Sequence, residues 1–144
     1  LMSNGEAVMT FSTVRSGDWI DRMTAIATNQ PDSVIQVEKE AGGFVIGQQS
    51  DNQIHSALSS YYQRLISYTV KQIAAALSRS NALPKFKDPI TVVLAGGTSR
   101  AESYVEEFNR VLQNEDMPIE VKAVRHAADP LRAVSRGCLI ASQL

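Results

Sequence analysis

The sequence predicts an α/β fold, layered, with its main strands parallel. Three observations predict it. Elements alternate in the order strand, helices, strand, helix, strand, helix. The run Ile90-Thr91-Val92-Val93-Leu94 has the apolar, β-branched character of a strand buried on both faces. A chain of 144 residues can bury one real core, and no repeat, low-complexity tract or linker divides it.

Charge and composition exclude several classes. Lys and Arg number 14 against 15 Asp and Glu, a net charge of −1, which gives no electrostatic reason to expect nucleic acid or an anionic membrane as partner. No apolar run approaches the ~20 residues that span a bilayer, and a cytoplasmic setting is expected. Cys138 is the single cysteine, so no internal disulfide forms; its apolar helical surroundings predict a buried, inert thiol.

Taken in order, Leu1 to Gly5 reads as the tail of a strand running into an Asn4-Gly5 type I′ turn, with Glu6 to Arg15 as the return strand. A helix follows from Asp18 or Trp19 to about Thr28, with Trp19, Ile20, Met23 and Ala27 inward. Pro31-Asp32-Ser33 opens a second helix, where Ser33 and Gln36 have capping-box spacing, and Gly42-Gly43 stops it. Phe44-Val45-Ile46 is a short strand or link. The longest helix starts at Ser50 to Asn52 and runs to about Ser80. Its apolar stripe passes through Leu58, Tyr61, Leu65 and Leu77 and is widened by Tyr62, Ile66, Val70 and Ala74. Asn81 to Pro89 is a loop. After the strand at Ile90, Ser99 and Glu102 form a capping box for a helix carrying Tyr104, Phe108 and Leu112. Ile119 to Val124 is a second strand. Asp129-Pro130 is an N-cap with proline in the first turn of a helix whose Leu131, Val134, Cys138 and Ala141 face one way.

The chemistry sits at the end of the first of these parallel strands. Gly96 and Gly97 can adopt positive φ or let a ligand approach the backbone, and a helix N-terminus follows, where free N–H groups meet polar or anionic ligands. The same glycines could equally serve only to pack strand against helix. His55 and His126 have no metal-ligand companions, and no chemistry is assigned to them.

The residues Val93-Leu94-Ala95-Gly96-Gly97-Thr98-Ser99-Arg100 resemble the adenosine motif of the actin, sugar-kinase and heat-shock-chaperone ATPase superfamily. Asp129 to Ala141 is similar to that family's final helix, D-P-x-x-A-V-x-x-G-A-x-x-x-A. Val14 to Asp21 is similar to a V-x-G-G-D-x-x-D segment of bacterial actins such as MreB, with Ser16 in place of the first glycine. Val37 to Gly42 is similar to the charged helix that touches ribose and adenine in these relatives. Four motifs in the correct order span nearly the whole chain.

The resemblance implies a ribonuclease H-like second lobe, over residues 1–144, of an ATPase that closes two lobes on Mg-ATP, with residues 17–53 as a reduced outer subdomain and 54–144 as the core. By position, Gly96, Gly97, Thr98 and Ser99 would pass under the nucleotide, and Arg100 would lie against the adenine face. Glu38, Lys39 and Glu40 would include the groups holding the ribose hydroxyls, with either glutamate eligible. Asp18 and Asp21 read as acids favourable to a helix N-terminus. The family's phosphate loop, D-x-G-x-G-T, is not in this chain, and the first two strands of the lobe's sheet are missing from it. The resemblance therefore implies upstream residues or another chain to complete the sheet, magnesium held mainly by those parts, and no catalysis by this segment alone. A filament-forming, self-associating cytoskeletal protein is the first reading. A chaperone-type ATPase lobe, a metabolite kinase and a nucleotide-free interaction module are the others.

Overall fold

The computed structural model describes every residue except Asn4, Asn81, Ala82, Pro84, Lys85 and Leu144. The expected turn at Asn4 and much of the expected loop over 81–89 thus lie outside the described residues. The fold is α/β. Strand β1 (Met2–Ser3) pairs antiparallel with β2 (Glu6–Ala7). Helices α1 (Gly17–Thr28), α2 (Asp32–Ala41) and α3 (Gln53–Arg79) follow. Strand β3 (Ile90–Leu94) then lies parallel to β4 (Val121–His126), with α4 (Tyr104–Gln113) between them in sequence and α5 (Ala133–Ala141) last. The β1–β2 pair is a sheet of its own.

Helix α3 is the spine. Asn52 caps it, its side-chain oxygen accepting from the N–H groups of Ile54 at 2.9 Å and His55 at 3.3 Å. Leu58, Tyr62, Leu65, Ile66, Val70, Ala74 and Leu77 are buried along it. Both expected rows reach the core, Leu58, Leu65 and Leu77 of the main stripe and Tyr62, Ile66, Val70 and Ala74 of the row widening it, while Tyr61 is half-buried. Against this face pack Ile20 of α1, Ile35 of α2, and Tyr104, Phe108 and Leu112 of α4, in one continuous cluster. A chain of rings, Phe44 to Tyr62 at 5.4 Å, Tyr62 to Tyr104 at 6.1 Å and Tyr104 to Phe108 at 6.4 Å, ties the elements together. Across the α3–α4 seam, Gln63 Nε2 donates to Glu107 at 3.0 Å, and Arg110 donates twice to the same carboxylate, at 2.8 and 2.7 Å.

Several expectations are corrected. The return strand ends at Ala7, because beyond Met9 no backbone among the described residues lies alongside it; Val8 and Met9 still donate to the carbonyl of Leu1. In α1 the inward positions are Ile20, Asp21, Thr24 and Ala25, while Ala27 is exposed and Met23 half-buried. Ser33 is no cap: α2 begins after Pro31, whose carbonyl accepts from Val34 and Ile35. Strand β3 is not buried on both faces. Its exposure alternates and Val93 is 48% exposed, since among the described residues β4 is its one paired neighbour and its second face stays open. The Ser99–Glu102 capping box does not form, and α4 starts at Tyr104 after Ser103 in a left-handed conformation. Strand β4 begins two residues late, past the bend at Pro118-Ile119. Asp129 closes a turn by accepting from the Arg132 N–H at 3.2 Å, so α5 starts only at Ala133. No residue of α5 is buried, and Cys138 is an exposed free thiol. No described helix is long and apolar enough to cross a membrane.

Two predictions come from this packing. Phe108→Ala is expected to lower stability by about 3–5 kcal/mol in urea unfolding, through lost burial and the cavity left behind. The second concerns Glu107, whose carboxyl is held below the usual carboxylate range, first by the Arg110 hydrogen bond and then by Gln63. A depressed folded-state pKa gives stability that is full above the unfolded value of about 4.3 and is lost as pH falls through the folded one. Wild type should therefore exceed Glu107→Gln by on the order of 1 kcal/mol near neutrality, the gap closing below about pH 4 in pH-dependent melts.

Candidate functional site

At the end of β3 the chain makes a turn that only glycine enters without strain. Gly96 has φ +95°, and its N–H donates to the Pro130 carbonyl at 2.7 Å. A single 3-10 turn, Gly97–Arg100, follows. Ser99 is buried there, its hydroxyl donating to the Gly96 carbonyl at 2.8 Å; it caps no helix because it lies inside this turn and α4 starts only at Tyr104. The Ser99 carbonyl lies 2.6 Å from His126 Nε2, so that nitrogen carries the proton. The glycine turn is thus clamped both to the last residue of β4 and to the segment after it.

The N-terminus of α1 lies against this turn. A Cβ built on Gly17 would stand 2.9 Å from Thr98 Oγ1 and 3.6 Å from Lys39 Nζ. Lys39 in turn reaches back from α2 to Asp21 on α1, Nζ to Oδ2 at 2.6 Å, with both side chains largely buried. The left-handed Gly42 and Gly43 then turn the chain from α2 towards Phe44.

These parts enclose a cleft of ≈ 820 Å³. Gly97, Thr98 and Arg100 line one side, Lys39 and Glu40 another, and Asp18, Asp21 and Tyr62 are also in its wall. Five of the eight residues expected at a site therefore meet there. Gly96 and Ser99 do not line it; they shape the turn beneath. Glu38 faces elsewhere, its Oε2 3.5 Å from His55 Nε2. Of the two eligible glutamates, Glu40 is the one on the cleft, with Oε1 accepting from Gln36 Nε2 at 3.0 Å.

Sequence reasoning passed over Asp21 and Tyr62. Asp21 looked like a first-turn acid, yet it shares the buried face with Thr24 and Ala25, and that spacing was the available signal. Its Oδ1 is buried without a hydrogen-bond partner among the described residues, as is Thr24 Oγ1. Tyr62 keeps its proton: burial, then the Asp21 carboxylate, then Tyr104 push its phenol far above the usual value. The cleft thus offers a flat cation, a carboxylate with an amide beside it, and glycine backbone. That set can grip a planar ring and a diol. No group of three His, Cys, Asp or Glu among the described residues could hold a metal ion.

The fold and cleft define an α/β domain with a polar cleft at the carboxyl end of a parallel strand. The chain belongs to the Volactin family, whose model matches residues 1–142. No curated protein matches it.

Lys39→Met is expected to cost about 3 kcal/mol in denaturant unfolding, because it strands the Asp21 charge in a buried wall. Adding Asp21→Leu should recover much of that loss.

Proposed function

We propose that this chain is the adenosine-binding, second lobe of an actin-like, two-lobed ATPase with a ribonuclease H-like sheet, working as a filament-forming cytoskeletal protein. The observation that carries the reading is the meeting of two distant segments at one cleft. The glycine turn supplies Gly97, Thr98 and Arg100, and α2 supplies Lys39 and Glu40, so two of the four motifs of the resemblance meet on the same space.

In this reading the adenine lies between the glycine backbone and the Arg100 guanidinium, where a flat delocalised cation favours a π-face. Glu40, held by Gln36, accepts from the ribose hydroxyls. Lys39 is committed to Asp21 and keeps the α2 wall in place, leaving Glu40 as the recognition group. Mg-ATP would bring the phosphates and metal that phosphoryl transfer needs, and these would be gripped outside this chain. The unpaired edge of β3 and the exposed Val134, Leu139 and Ile140 of α5 suit a lobe whose sheet is extended and covered by further strands or a neighbouring subunit.

Calorimetric titration of ATP into the intact protein tests this. Arg100→Ala should weaken binding by about five- to tenfold, the worth of one partly desolvated cation–π contact. Glu40→Gln should weaken it too, and Glu38→Gln should not. Equal affinities for wild type and Arg100→Ala would refute the assignment.

A further inference from the structure

On the side of α3 away from the cleft lies a second hollow, ≈ 1270 Å³, with α3 as its floor and α1 and α4 as its walls. Four cations line it against two carboxylates, in a chain whose net charge is −1. One of those carboxylates, Glu107, is already spent on Arg110. Arg15, Arg64 and Lys71 stand outside the three ion pairs found among the described residues.

Two of these cations are held in place by rings. The Arg15 guanidinium sits 4.8 Å from the Trp19 ring centre and 4.4 Å from that of Tyr68. Arg64 lies 5.1 Å from the centre of Tyr61. A guanidinium stacked on an aromatic face keeps its N–H edge free, and its side-chain entropy is already spent, so it binds a carboxylate in bidentate fashion at reduced cost. Arg64, Tyr68 and Lys71 follow one another on one stripe of α3. From Ser60 to Lys71 the floor runs roughly 16 Å at the helical rise, room for about five residues of extended peptide. Met23 and Val111 add apolar wall.

We propose that this hollow is a docking groove for an acidic peptide segment of a partner protein, with carboxylates on Arg15 and Arg64 and apolar side chains against Met23 and Val111. Charge complementarity selects the occupant. Nucleic acid fits less well: the rings that would stack bases are covered by guanidinium groups, and Glu107 and Glu115 would face phosphates. The groove is separate from the cleft, so the proposal stands apart from nucleotide binding.

Fluorescence anisotropy tests it, with a short labelled peptide of alternating glutamate and leucine, its glutamine counterpart and a single-stranded oligonucleotide as probes. The glutamate peptide should bind at least about tenfold tighter than the glutamine one, and more weakly as salt rises. Arg64→Glu and Lys71→Glu, both exposed and expected to fold, should each reduce its affinity about tenfold, with thermal melts confirming the fold. No saturable binding of the glutamate peptide, equal binding of both peptides, tighter binding of the oligonucleotide, or insensitivity to both reversals would each overturn the proposal.

Discussion

The burial of one face of α3 is the constraint on which the other elements depend. Leu58, Tyr62, Ile66 and Val70 lie within a single stripe, and none can reach water without dismantling the contacts of α1, α2 and α4. Burying side chains of this size contributes roughly 1.5–3 kcal/mol each, so this stripe outweighs any surface ion pair in the molecule. It also fixes geography. With α1 and α4 seated on α3, the cationic and aromatic residues of α3 and of the segment entering α1 line a groove along its length, and the N-terminus of α1 is brought to the glycine turn at the end of β3.

Polar interactions then refine what packing has roughly placed. The Lys39–Asp21 pair locks α2 to α1 in partly dry surroundings, where removing either partner costs far more than the pair gains over apolar substitutes. Its value is positional: it holds the α2 wall, and with it Glu40, across from Arg100. The glycine turn is fixed in the same manner, by the Pro130 carbonyl on one side and His126 on the other. Both devices keep a polar cleft open beside a packed core, which an apolar filling of the same volume would close.

The parts of the fold legible in the sequence were those governed by local periodicity. Helix α3 was expected from a start at Ser50 to Asn52 to about Ser80, and the parallel β3–β4 pair was expected from strand–helix alternation. The misreadings share a cause: a local signal was trusted where a non-local partner decides. Glu6 to Arg15 alternates like a strand, but a strand needs a neighbour, and past Met9 none pairs with it among the described residues. Ser99 has the spacing of a cap, yet the chain there makes a 3-10 turn and the helix begins only at Tyr104. Helix α5 has an apolar stripe, but among the described residues nothing buries it, so Cys138 and Val134 are exposed. At the cleft, the resemblance to known motifs suggested Lys39, Glu40, Gly97, Thr98 and Arg100, while Asp21 and Tyr62 needed three dimensions, since each owes its role to a residue far away in sequence.

The central claim is that the cleft between the glycine turn and α2 accepts adenosine, while the cationic groove across α3 does not. Adding adenosine to isotopically labelled protein and following backbone amide resonances tests this most directly. The account predicts saturable shifts at Gly97, Thr98, Arg100 and Glu40, with Arg64 and Lys71 unmoved. Shifts centred on Arg64 and Lys71, or no saturable shift at the glycine turn, would contradict it.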